Sequence, residues 1–110
     1  MKDYTRDRIL CICRSGINRS RKAYDILESN GYISDYIGIS AQKETINLKL
    51  KWACLLIIME LDQLNWLKSH YERLITDREI IVLEIKDLYD YTDIALETII
   101  INKLKNKGLL

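Results

Sequence analysis

The chain has 110 residues, of which 48% are hydrophobic and 30% are charged, a composition that predicts one globular domain over 1–110 and excludes a disordered chain. The formal net charge of +1 provides no general attraction to nucleic acid or to an anionic membrane. No apolar run approaches the roughly 20 residues of a membrane-spanning helix, and the polar N-terminus is unlike a signal peptide. We therefore expect a cytoplasmic protein with no nucleic-acid or membrane partner.

The first half of the chain alternates short apolar runs with amphipathic stretches. Residues 8–13 predict a buried strand, 19–29 predict an amphipathic helix, and 35–40 predict a second strand. Residues 45–52 fit either a strand or a helix. We favour a short helix there, because a crossover must connect two parallel strands.

The second half repeats this alternation. Residues 54–59 and 79–85 predict a third and a fourth strand, with a helix over 61–74 between them and a final helix within 91–108. The final helix is expected to bury the apolar positions Tyr91, Ala95 and Ile99. Four strands alternating with helices predict an α/β fold whose parallel sheet is covered on both faces, in three layers.

The turn between the first strand and the first helix carries residues typical of an anion site. Cys13 ends the strand, Gly16 lies in the turn, and Arg19 and Ser20 begin the helix. Ligands of parallel sheets bind beyond the carboxyl ends of the strands, where a helix N-terminus directs backbone N–H groups at an anion. These dipoles and Arg19 favour a thiolate at Cys13, and the Arg19 guanidinium can hold two oxygens of a tetrahedral anion. The turn therefore predicts a phosphate cradle with a cysteine nucleophile.

The cysteine pattern fits that hypothesis. Cys11, Cys13 and Cys54 lack the spacing of a disulfide framework and indicate reduced thiols. Cys11, two residues before Cys13 on the same strand face, and Cys54, in the third apolar run, are expected in the core.

The Cys-x5-Arg-Ser run of 13–20 resembles the phosphate-binding loop of low-molecular-weight protein tyrosine phosphatases. Residues 52–67 are similar to the third strand and following helix of that family, and 82–97 to the stretch that holds its catalytic acid. The resemblance extends over nearly the whole chain. It implies a flavodoxin-like fold with a four-stranded parallel sheet in the order 2-1-3-4, and phosphotyrosine as the substrate.

The chain departs from the family pattern in three places. Ser15-Gly16 stands where the family has Gly-Asn, Asn18 replaces the second loop cysteine, and Asp87-Leu88 replaces an Asp-Pro pair. Gly16 can still adopt a left-handed conformation, which allows the loop to close.

These residues and the resemblance predict a phosphoric monoester hydrolase that acts through a phosphocysteine intermediate. Cys13 attacks phosphorus, Arg19 and the loop amides hold the phosphate, and Asp87 protonates the leaving oxygen. The expected substrate-binding residues are Arg14, Ser15, Gly16, Ile17, Asn18, Ser20 and Tyr89. The expected ligands are a phosphorylated protein or a small phosphoester, with inorganic phosphate or sulfate in the loop, and no metal or other cofactor.

Three carboxylates near the fourth strand are candidates for the acid. Asp87 comes two residues after the strand, Asp90 is placed as an N-cap of the final helix, and Asp93 falls in its first turn. The last two have structural explanations, so Asp87 is favoured.

Three other functions stay open. The loop departures and the missing proline favour a phosphopeptide or oxyanion-binding module without turnover. A sugar phosphotransferase phosphocarrier has a similar size and a cysteine in its first loop, but it needs no arginine six residues later. An arsenate reductase on this fold needs further cysteines to relay a disulfide, and Cys54 has no near partner in the sequence.

Overall fold

The structure, a computed structural model, describes residues 3–110 and contains a four-stranded parallel sheet in the order β2-β1-β3-β4. The strands are β1 (Arg8–Cys13), β2 (Ile33–Gly38), β3 (Leu55–Ile58) and β4 (Glu79–Val82). The helices are α1 (Arg19–Ser29), α2 (Lys43–Trp52), α3 (Leu61–His70), α4 (Glu72–Ile75) and α5 (Ile94–Asn106). The predicted α/β class, strand order and parallel pairing are confirmed.

The sheet is buried on both faces, which makes the fold three-layered. Successive residues of β1 point to opposite faces, so Ile9, Cys11 and Cys13 share one hydrophobic cluster and Leu10 and Ile12 share the other. The first cluster is completed by residues of α1 and α5, namely Ala23, Ile26, Leu27, Leu96, Ile100 and Leu104. The second is completed by residues of α2, α3 and α4, namely Ile46, Leu50, Leu64, Leu67 and Ile75. Covering of both faces explains why the central strands are continuous apolar runs rather than alternating ones.

Several element boundaries differ from the sequence-based expectation. β2 begins and ends two residues earlier than predicted, with Gly38 paired to Cys13 at its end. β4 stops at Val82, and Glu84 two residues later has a φ of 58°, which no strand residue adopts. The helix predicted over 61–74 is interrupted at Tyr71, whose φ of −138° separates α3 from α4.

The apolar face predicted for the final helix is wrong. α5 buries Leu96, Ile100 and Leu104, whereas Ala95 is exposed. Leu96, Ile100 and Leu104 recur every four residues and form the buried stripe, whereas Tyr91 lies before the helix. Asp93 is the N-cap, and its Oδ1 accepts a hydrogen bond from Ala95 N at 2.9 Å. Asp93, not Asp90, therefore caps the helix. Within residues 3–110, none of the helices has the length and apolar character needed to span a bilayer.

Candidate functional site

The β1–α1 loop (14–18) closes around the sulfur of Cys13 at the carboxyl edge of the sheet. Gly16 N donates a hydrogen bond to Cys13 Sγ at 3.1 Å, and Ser20 Oγ lies 3.0 Å from the same sulfur. Gly16 has a φ of 76°, the left-handed conformation that lets the loop turn its N–H toward the sulfur. The predicted combination of Cys13, Gly16 and Ser20 is therefore brought together in space.

A second glycine, Gly38 at the end of β2, packs against this loop. A Cβ atom built on Gly38 would lie 2.2 Å from the Ser15 carbonyl carbon, so only glycine fits there without backbone movement. The segment after Gly38 extends the contact, since Ile39 N donates to Cys13 O at 3.0 Å and Ser40 N donates to Arg14 O at 3.2 Å. Gly38 was not among the predicted site residues, and the signal for it was a glycine inside the predicted strand 35–40.

Replacing Gly38 by Ala is expected to displace the β1–α1 loop and to weaken binding of inorganic phosphate at least tenfold. The added methyl group cannot share space with the Ser15 backbone, and such overpacking lowers the free energy of unfolding by about 1–3 kcal/mol. Isothermal titration calorimetry with phosphate and a thermal melt measure the two effects.

Gly31→Ala is the matched control for this prediction. Unlike Gly38, Gly31 has a positive φ, 86°, and nothing lies within 4 Å of its added Cβ. That variant is expected to lose roughly 1 kcal/mol of stability through backbone strain and to bind phosphate like the wild type. Equal phosphate affinities in Gly38→Ala and the wild type would contradict the role given to Gly38.

Arg19 is the buried charge of the site, with 1% of its surface exposed. Its Nη1 donates to the carboxylate of Glu60 and to the carbonyl oxygen of Ile85, the latter at 2.6 Å. Its Nε lies 3.8 Å from Oδ1 of Asp87. A buried guanidinium is tolerated only with such partners, and these come from the segments that follow β3 and β4. Arg19 thus connects the β1–α1 loop with two neighbouring loops at the same edge.

Glu60 is a site residue that the sequence analysis missed. It is the N-cap of α3 and forms a capping box with Gln63, in which Glu60 N donates to Gln63 Oε1 at 2.9 Å. The same carboxylate accepts from Arg19. The sequence signal was the Glu-x-x-Gln spacing immediately after the third apolar run.

Among the three candidate acids, Asp87 lies beside Arg19, and its side chain is 55% exposed. Asp93 is engaged as the cap of α5. Asp90 is exposed, and its carbonyl oxygen accepts a hydrogen bond from Asp93 N at 3.0 Å. Asp87 is therefore the one of the three whose side chain lies next to Arg19.

The remaining predicted substrate-binding residues differ in their exposure and in their contacts. Arg14 is exposed and donates to Asp62 at the start of α3 at 3.1 Å. Ser15 Oγ accepts from Ile17 N at 3.3 Å within the loop, and the Ile17 side chain points outward with 61% exposed. Tyr89 is half-buried and packs against the cluster that covers one face of the sheet.

Asn18 faces the β4–α5 loop (83–93). Its Oδ1 accepts a hydrogen bond from Tyr91 N at 3.0 Å, and its side chain makes no capping bond to α1 although it occupies the N-cap position. The side chain therefore joins two loops that lie far apart in the sequence.

The other cysteines do not lie at the carboxyl edge of the sheet. Cys11 is fully buried, and burial, assisted by the neighbouring Cys13 thiol, raises the pKa of its thiol far above the ordinary value. Cys54 is half-buried and precedes β3 at the amino edge of the sheet, opposite the edge that carries Cys13. Within residues 3–110, no three His, Cys, Asp or Glu side chains form a group that could hold a metal ion.

Comparison with known proteins identifies the fold. No protein-family model matches the chain, and no curated protein matches its sequence. The YwlE arginine phosphatase from Geobacillus stearothermophilus superposes with a TM-score of 0.65 and 17% identity, over 93% of this chain and 92% of that one. A YwlE mutant from Bacillus subtilis superposes with a TM-score of 0.53 and 12% identity, over 94% and 93%. The resemblance stated from the sequence is thus confirmed at the level of the fold, over nearly the full length.

Proposed function

We propose that the chain is a phosphoric monoester hydrolase with Cys13 as its nucleophile. The observation that carries this proposal is the closure of the β1–α1 loop: a cysteine sulfur, an inward backbone N–H and the buried Arg19 meet at the carboxyl edge of the sheet. Ligands of this fold class bind at that edge. The fold is shared with a solved arginine phosphatase, which supports hydrolytic removal of a phosphoryl group as the general reaction.

The reaction proceeds in two displacements. Cys13 Sγ attacks phosphorus as the bond from phosphorus to the ester oxygen breaks, and the leaving oxygen takes a proton from Asp87. Water then attacks the phosphocysteine, its proton passes to Asp87, and the sulfur leaves as a thiolate with release of inorganic phosphate.

Arg19 and the loop amides stabilise the charge on the transferring group. The two N–H bonds of Nη1 are directed to Glu60 and Ile85, so the guanidinium is fixed in one orientation before a ligand arrives. Its Nη2 and Nε donors serve the phosphate oxygens, and a donor fixed in advance needs no reorganisation during the reaction. Glu60 is therefore assigned as a positioning residue for Arg19.

Phosphotyrosine is the substrate class that we propose. Ile17 in the β1–α1 loop and Leu88 next to Asp87 are 61% and 72% exposed, so both loops present an apolar side chain to solvent. Such side chains offer a contact surface to an aromatic ring. Phosphoarginine is the second candidate, because the solved structure from Geobacillus stearothermophilus is an arginine phosphatase.

Phosphate release from two peptides of one sequence, carrying either phosphotyrosine or phosphoarginine, tests the proposal. We expect wild-type protein to hydrolyse the phosphotyrosine peptide with a kcat/KM about tenfold higher or more, a preference of the size that one well-fitted side chain provides. The reverse preference would favour phosphoarginine. Binding without release would support the binding module, and transfer of the phosphoryl group to a second protein in place of water would support the phosphocarrier.

A further inference from the structure

The contact between Asn18 and Tyr91 joins the loop of the nucleophile to the loop of the acid. Asn18 immediately precedes Arg19, and Tyr91 lies four residues after Asp87. The bond runs from Tyr91 N to Asn18 Oδ1 at 3.0 Å across 73 residues of sequence. Asparagine at an N-cap normally bonds its own helix, but here that side chain is used by the other loop.

The ring of Tyr91 is held on α1 by three further contacts. Its hydroxyl donates to the carboxylate of Asp25. The Arg21 guanidinium lies 4.4 Å and the Lys22 ammonium 4.0 Å from the ring centroid, both within the range of cation–π attraction. The hydrogen bond to Asp25 also raises the pKa of the Tyr91 hydroxyl above its ordinary value. Tyr91 is therefore fixed to the helix that begins at the phosphate-binding arginine.

The β4–α5 loop is anchored at both ends and exposes residues between them. At its start Leu83 N donates to Ile58 O and Ile85 N donates to Met59 O, and at its end Asp93 caps α5. Asp87 and Leu88 between these anchors are exposed. Tyr91 fastens this stretch to the β1–α1 loop, on the side of the site where Asp87 lies 3.8 Å from Arg19.

We propose that Asn18 and Tyr91 are positioning residues that hold the β4–α5 loop where Asp87 can reach the leaving oxygen. This inference rests on the proposed hydrolase function. Asn18 acts through its side-chain oxygen and Tyr91 through its backbone N–H and its ring. The side-chain oxygen of Asn18 is bonded to Tyr91 N and is itself an acceptor, which does not bind an anion. Loss of this contact is therefore expected to affect proton donation and to leave anion binding intact.

The experiment compares Asn18→Ala and Tyr91→Phe with the wild type on two esters, 4-nitrophenyl phosphate and phenyl phosphate. We expect Asn18→Ala to lower kcat on phenyl phosphate about 10- to 100-fold, as expected of a small displacement of a catalytic group, and to affect the activated ester much less. Tyr91→Phe is expected to show the same pattern as Asn18→Ala, a larger loss on phenyl phosphate than on the activated ester, but with a smaller factor. Inhibition by inorganic phosphate is expected to stay within about threefold of the wild type, since anion binding does not use these contacts.

Tyr32→Phe is the matched control, because it removes a tyrosine hydroxyl that donates to Leu109 O, outside both loops. It is expected to leave both rates unchanged. In an Asp87→Asn background, Asn18→Ala is expected to cause no additional loss, since the two changes remove the same step. An equal loss on both esters, or a further loss in that background, would overturn the inference.

Amide hydrogen exchange separates this inference from the proposed function. Exchange at Tyr91 is expected to be slow in the wild type and faster in Asn18→Ala. Unchanged exchange would overturn the positioning role of the contact between Asn18 and Tyr91, even in an active enzyme. A wild-type protein that hydrolyses neither ester would overturn the proposed function and, with it, the catalytic role given to this contact.

Discussion

Replacing Cys13 by Ser is expected to abolish phosphate release, with kcat lowered by roughly 10⁴- to 10⁶-fold, the size of loss that follows removal of an enzyme nucleophile. A serine hydroxyl at this position stays protonated at neutral pH, and no histidine is near to activate it, since the single histidine, His70, is the last residue of α3 and the site lies at the first turn of that helix. The side chain is nearly the same size, so the loop and its anion binding are expected to persist. Rate assays and phosphate titration measure the two properties separately.

The covalent intermediate gives this prediction a second test. Rapid denaturation of the wild type during turnover, followed by mass spectrometry, is expected to show a phosphoryl group on Cys13 and none on Cys54. Cys54→Ser serves as the control, because that residue lies at the opposite edge of the sheet and its replacement is expected to preserve activity. Turnover by Cys13→Ser at the wild-type rate would exclude the covalent mechanism.

Asp87→Asn is expected to slow hydrolysis of phenyl phosphate by about 10²- to 10⁴-fold, while hydrolysis of 4-nitrophenyl phosphate changes much less. A poor leaving group departs only as its oxygen is protonated, and an amide supplies no such proton. The carboxylate is suitably placed for this task, half-exposed and 3.8 Å from Arg19. Measuring kcat for a series of aryl phosphates of increasing leaving-group pKa gives the effect as a change of slope.

Asp93→Asn tests whether Asp93, rather than Asp87, is the acid. Asparagine is as good an N-cap as aspartate, so the cap of α5 is expected to survive and both esters are expected to react at near wild-type rates. If Asp93→Asn showed the leaving-group dependence and Asp87→Asn did not, the assignment of the acid would be wrong.

The strands and helices were predictable where local pattern determines them. The bounds of β1 and α1 agree with the sequence, because an apolar run of six residues and a helical face are local properties. The face of α5 was not predictable in the same way, since apolar residues occur on several sides of it and its packing against the sheet and α1 decides which side is buried. The break at Tyr71 likewise lies within a continuous helical pattern.

The site residues, too, were predictable only where they are close together in the sequence. Cys13, Arg19 and Ser20 are close in the sequence, so one strand–turn–helix pattern identifies them together. Gly38 ends β2 and contacts the loop, and Glu60 follows β3 and contacts Arg19. Both contacts depend on how the strands pair across the sheet. No local pattern encodes such contacts. The partner of Asn18 was unpredictable for the same reason, as it lies 73 residues away.

The contact between Gly38 and the Ser15 backbone fits only the native alignment of β2 with β1. Side chains alternate along a strand, so a slip of one residue in the pairing of β2 with β1 would place Ile37 or Ile39 opposite Cys13. Either isoleucine would then occupy the space that the loop backbone requires. A misaligned chain could bury apolar surface yet form no anion site, so phosphate affinity would report the fraction of molecules with the native register, which circular dichroism does not distinguish.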